Sequence, residues 1–170
     1  MRTVDCAVSA VLAIVVATPW MNVATAEATG DRWALNGTFL ATSNGEWART
    51  NDVFRDEAVV RSTWTITTIC STESDCAGEV TSDQGWKAEI TTHNVEWVVK
   101  RDVPNWEPCA DGTTVAGKQL LRFYPADPTG VADFNSTTYV GLDITSGASG
   151  ACGINQPLVI SMPFKLIKLT

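Results

Sequence analysis

Histidine is almost missing from this chain, which carries one, His93, in 170 residues. That scarcity removes most nucleophilic hydrolysis from consideration, because Ser-His-Asp and Cys-His arrangements both need an imidazole to carry the proton. No Gly-x-Ser-x-Gly elbow occurs either, and His93 in "TTHNVEW" is placed for an exposed hairpin tip. A zinc centre is poorly supplied, since no Cys-x-x-Cys accompanies the lone histidine. The glycines of "GASGACG" are followed by no Lys-Ser/Thr, so they do not make a phosphate loop. Basic clusters are absent as well. Lys and Arg total 12 against 19 Asp and Glu, a net charge of −7, and such acidity argues against nucleic acid or an anionic membrane surface as partner. The apolar run Ala7 to Ala17 is about eleven residues, short of the roughly twenty that cross a bilayer core.

That run instead fits a secretory signal. Arg2 precedes it, and Ala24-Thr25-Ala26 supplies the small residues a signal peptidase needs. The expectation is cleavage after Ala26 and a mature, soluble, exported chain of residues 27–170, long enough for one domain with its own core. Cleavage removes Cys6 and leaves Cys70, Cys76, Cys109 and Cys152, an even number in an exported protein, so two disulfides are expected. Of the three possible pairings we favour Cys70 with Cys76 across "CSTESDC", whose short polar interior suits a hairpin tip, leaving Cys109 for Cys152. In the chain-entropy description the short loop contributes roughly 2.4 kcal/mol and the long one roughly 4 kcal/mol.

The mature sequence alternates with a period of two. Trp86, Ala88 and Ile90 share one face of a strand, Val95, Trp97 and Val99 one face of another. Leu158, Ile160, Met162, Phe164 and Leu166 do the same at the end of the chain. "LNGTFLATS", "AVVRSTWTITTIC", "AGEVTS", "KQLLRFYP" and "TTYVGLDIT" are rich in the β-branched and aromatic residues that suit a pleated surface. "NDVFRDEAVVR" has a turn or cap signal at Asn51 and Asp52 before β-branched residues return it to strand. Turn residues in "SNGEW", "SDQG" and "PADPTG" separate these runs. The expected fold is all-β: an antiparallel meander of about eight strands closing into a lipocalin-like barrel, with a two-sheet β-sandwich as the alternative. Pro163 sits awkwardly in a last strand that must close the barrel, because proline cannot donate to a ladder.

Acidic groups are plentiful, notably Asp52, Asp56 and Glu57, and Asp102, Glu107 and Asp111. Acid-base chemistry needs two of them facing across a cleft with unlike pKa values, and in polar loops solvated charge is the plainer reading. We therefore expect no enzyme, no cofactor and no metal. The tryptophans are the stronger signal. Trp64, Trp86 and Trp97, with Phe123 and Met162, are the expected lining of a ligand cavity; Trp106 and Trp47 are candidates for its rim. Packed core is the competing role, and Trp106 can equally be a plug. "RDVPNWEPCADGT", Arg101 to Thr113, reads as a disulfide-anchored loop in which Pro104 and Pro108 end the preceding ladder.

The succession "RSTWTITTIC", "VTSDQGW", "VEWVVKRDVPNWEPCADGT", "RFYP", "SGACG" and "MPFKL" resembles a family of small secreted proteins of mycobacteria and related actinobacteria, with "VPNWEPC" and "SGACG" its most specific pieces. A looser pattern, W-x-I-x-x-x-C with a nearby Cys, a W-V strand and two later cysteines, is similar to extracytoplasmic segments of some actinobacterial Ser/Thr kinases. The resemblance implies a disulfide-stapled β module displayed outside the membrane, in a setting for sensing or binding. It implies no reaction and assigns no residue a role. The expected function is an exported cell-envelope module that binds a small lipid-like, apolar or amphipathic molecule. The alternative is a structural or protein-interaction module with a packed core, meeting another envelope protein.

Overall fold

The computed structural model describes residues 33–72 and 74–170. The expected secretory leader, its expected cleavage point and Cys6 lie outside the described residues. Ten strands run in order: β1 (Gly37–Ser43), β2 (Arg49–Thr50), β3 (Val53–Phe54), β4 (Val60–Cys70), β5 (Asp75–Ser82), β6 (Lys87–His93), β7 (Glu96–Pro108), β8 (Thr114–Pro125), β9 (Thr138–Ser146) and β10 (Val159–Lys168). No α-helix occurs among the described residues, and two short 3-10 turns complete the structure.

Eight strands form a closed antiparallel barrel. β1 pairs with β4, each later strand with the next, and β10 returns to β1 with Phe39 opposite Lys168 and Ser43 opposite Phe164. The barrel, not the sandwich, is therefore the fold. Closure leaves no free first or last edge, which is how such sheets avoid templating aggregation. Pro163 is accommodated simply. Its carbonyl accepts from the Asn44 N–H at 2.8 Å, so in an antiparallel strand its missing N–H also faces away from β9 and that ladder loses nothing.

Alternation places the core as expected. Phe39, Trp64, Ile66, Val80, Ile90, Val99, Leu121, Phe123 and Leu166 are almost wholly buried. Rings stack through the centre: Trp64 lies 6.4 Å from Phe123 and 5.4 Å from Phe164, centroid to centroid, and Phe123 meets Phe164 at 5.4 Å. Each such side chain contributes about 1.5–3 kcal/mol through burial. Glycine appears on inward faces where strands crowd. A Cβ on Gly141 would come within 1.8 Å of the Arg122 carbonyl oxygen, so only glycine permits that close approach.

Both disulfides join the expected partners, Cys70 to Cys76 and Cys109 to Cys152. Other details depart from the sequence reading. Val95 lies just before β7 and is exposed, not inward, and Leu158 precedes β10. Asn51 and Asp52 adopt φ of 47° and 67° between β2 and β3. Positive φ at both central residues makes a two-residue hairpin turn that matches strand twist, and no helix begins there. "RDVPNWEPCADGT" is mostly strand, for β7 continues through Pro104 to Pro108. Proline survives because the ladder bulges: Val103 pairs with Gly117 but Glu107 with Val115, leaving Pro104, Asn105 and Trp106 opposite Ala116 alone.

The two ends of the barrel differ. One is closed by Trp33 packed edge-on against Phe134 (5.1 Å), with Trp97 and Tyr139 beneath. Both ends of the described chain lie there, since the Leu35 N–H donates to Thr68 Oγ1 and the Thr38 N–H to the Thr170 carbonyl. The other end is open. β6 and β7 pair only from Ile90 opposite Val99 to His93 opposite Glu96; above Val99 the strands part, and Trp86 and Arg101 face each other across the gap.

Candidate functional site

The open mouth encloses a cavity of about 330 Å³. Its apolar wall is built chiefly from the inward Trp64, Leu121 and Phe164 of the barrel strands and from Trp86 just before β6. Two larger hollows, about 460 Å³ each, lie among residues that include the outward-facing Lys100, Asp102 and Lys118 on one side and Thr42, Arg61 and Lys165 on another. The mouth is the better candidate despite its smaller size, because most of its lining is inward-facing and it contains a buried carboxyl.

That carboxyl is Asp143, 2% exposed. It sits on β9 at an inward position, two residues from Gly141. Ser43 Oγ donates to its Oδ2 at 2.6 Å and Gln119 Nε2 to its Oδ1 at 2.8 Å. Gln119 turns its other end outward, where Oε1 accepts from Arg101 Nε at 2.5 Å. The Arg101 guanidinium lies 4.3 Å from the Trp86 ring centre, a cation–π contact favoured by partial desolvation. Trp86 meets Trp64 edge-on at 5.4 Å, and Trp64 Nε1 donates to Ser62 Oγ at 2.9 Å. A polar relay and an aromatic relay thus run side by side from the core to the opening.

Burial holds the Asp143 carboxyl above its usual pKa, opposed by the bonds from Ser43 and Gln119 and by the charge of Arg101. Burial also lowers Arg101 from its ordinary value, with the Asp143 charge raising it in return. A carboxyl raised by folding is protonated in the folded chain at pH values where the unfolded chain has lost the proton. Stability therefore falls as pH rises from the ordinary carboxylate value through the raised one. Asp143→Asn is expected to remove that loss, so the variant gains on the wild type as pH rises from the ordinary carboxylate value through the raised one. Urea denaturation across that range measures it; parallel stability profiles would contradict the assignment.

The sequence-derived site residues separate. Trp64 and Trp86 stand in the cavity wall. Phe123 lies fully buried behind Trp64, and Trp97 belongs to the closed end. Met162 pairs with Asp143 across the β9–β10 ladder and is partly exposed. Trp47 is 62% exposed. Trp106 is half-buried against β8, where a Cβ on Gly117 would fall 2.7 Å from its ring. Beside it Glu107 is buried, its Oε2 without a hydrogen-bond partner among the described residues.

The polar relay escaped the sequence reading, although its signal was there. Extending the inward parity of Trp97 and Val99 reaches Arg101, that of Phe123 and Leu121 reaches Gln119, and that of Tyr139 and Gly141 reaches Asp143. Polar residues continuing three inward faces toward the same end of a barrel mark a mouth.

No protein-family model matches the chain, and no curated protein does. Among solved structures, the sensor domain of PknI, a Mycobacterium tuberculosis Ser/Thr kinase, in its monomer form, matches with a TM-score of 0.56. The match covers 80% of this chain and 88% of that one at 18% identity. The barrel has the fold of that sensor domain. At this identity the likeness concerns the arrangement of strands, and it agrees with the looser pattern of cysteines and tryptophans noted in the sequence.

Proposed function

We propose that this chain is an exported, non-catalytic module of the cell envelope that binds a small amphipathic molecule in the barrel mouth. The cavity of about 330 Å³ between Trp64, Trp86, Leu121 and Phe164 carries the reading, since ligand sites are concave, largely apolar and furnished with a few placed polar groups. The sensor-domain fold and the two disulfides support a setting outside the cytoplasm. Signal cleavage after Ala26 belongs to the same proposal.

A protein-interaction role is favoured by one separate observation, the side chains of Trp47, in the 3-10 turn before β2, and of Val53 and Phe54 in β3, each more than 60% exposed. Native mass spectrometry of protein purified from its own envelope distinguishes the two. A bound mass of lipid size, lost on solvent extraction, is the expected result. A bare protein mass, or one accompanied only by a second polypeptide, would favour the interaction role.

A further inference from the structure

We infer that the mouth selects a monocarboxylate: an apolar body against Trp64, Leu121 and Phe164, and a carboxylate paired with Arg101. The inference rests on the reading of the mouth as a ligand site, and it follows from which polar groups in the wall are already engaged. Both oxygens of Asp143 accept hydrogen bonds, and Ser43 is committed to one of them. Gln119 is used at both ends, as donor to Asp143 and acceptor from Arg101. Ser62 Oγ accepts from Trp64. Arg101 uses only Nε; among the described residues its two Nη groups donate to no protein acceptor. Together with the hydroxyl hydrogen of Ser62, the uncommitted groups around Arg101 are donors. Gln84 also lines the mouth, with its Nε2 on Asp83 and its Oε1 the one free side-chain acceptor among the described residues of the wall. The charged donor edge of Arg101 therefore decides the head and favours one that accepts.

Geometry narrows the head further. Gln119 fixes the Nε edge of the guanidinium and Trp86 fixes its plane, so the Nη edge is presented in a set orientation. A planar carboxylate meets such an edge with two parallel bonds, and charge-assisted bonds are about twice as strong as neutral ones. Arg101 is the one cationic side chain in the wall, which suits a monoanion better than a phosphate dianion. Asp143 does not compete for the Nη edge, because Gln119 stands between them. The cavity volume, near the lower end of the roughly 300–1,000 Å³ typical of ligand sites, calls for a short apolar body.

Decanoate and decanol, equal in chain length and different in head, test this when titrated into the purified protein, with tryptophan fluorescence and calorimetry as readouts. Decanoate is expected to bind at least ten-fold more tightly than decanol, and Arg101→Met should bring the two to equal affinity. Equal affinity on the wild-type protein would overturn the carboxylate inference and leave the cavity reading standing, and this comparison holds even if the variant does not fold. Failure of both ligands to bind, or binding unchanged in a Ser62→Phe variant that fills the mouth, would overturn the cavity reading itself and this inference with it.

Discussion

Trp64→Ala is expected to cost about 3–5 kcal/mol, the range for truncating a buried aromatic. The residue is 2% exposed and is flanked by Trp86, Phe123 and Phe164. Its removal would leave a void in the middle of the barrel that no neighbour can close without abandoning its own ring contacts. It would also free Ser62 Oγ from the indole N–H at 2.9 Å. A fall in Tm of roughly 10 °C or more should accompany the loss. Far-UV circular dichroism during urea denaturation is the suitable measurement, because fluorescence is compromised by the substitution. Trp86→Ala, at a half-buried position, should cost distinctly less. A loss below about 1 kcal/mol for Trp64→Ala would mean that the centre of the barrel is not packed as described.

Removing the Cys109–Cys152 disulfide is the second large effect. The bond closes a loop with a sequence separation of 43, worth about 4 kcal/mol in chain entropy. It ties the residue just after β7 to the turn before β10. The Cys70–Cys76 bond spans a separation of 6 between positions already paired in the β4–β5 ladder, and about 2.4 kcal/mol is expected from it. Paired Cys→Ser variants should therefore rank with Cys109/Cys152 the more damaging by more than 1 kcal/mol. The reverse order in equilibrium denaturation would show that the β9–β10 connection holds its place without the crosslink.

The barrel was legible because its evidence is local. Period-two alternation in "VEWVVK" or "KQLLRFYP" reports a face, and eight such segments with short turns leave few topologies. The pairing of cysteines followed from the hairpin spacing of Cys70 and Cys76. What the sequence concealed were the places where distant strands decide. Whether Pro104 ends a strand or sits in a bulge depends on β8 opposite it. Trp64 and Trp97 both occupy inward positions in aromatic strands, yet one lines the mouth and the other the closed end, because depth along the barrel is set by register between strands. Asp143 is one acid within the strand-like run "TTYVGLDIT", and only the fold brings Ser43, Gln119 and Arg101 from three other strands around it. Polarity on an inward face is the signal the sequence carries for it.

The closed end has a practical meaning for how this domain can be held. Residues 33 to 38 and Thr170 meet at that pole, while Arg101, Trp86 and the mouth occupy the opposite one. A linker or fused domain leaving the barrel beside Trp33 or Thr170 would depart from the pole opposite the opening and leave it unobstructed. The barrel could thus be held from the Trp33 side or the Thr170 side without covering the mouth.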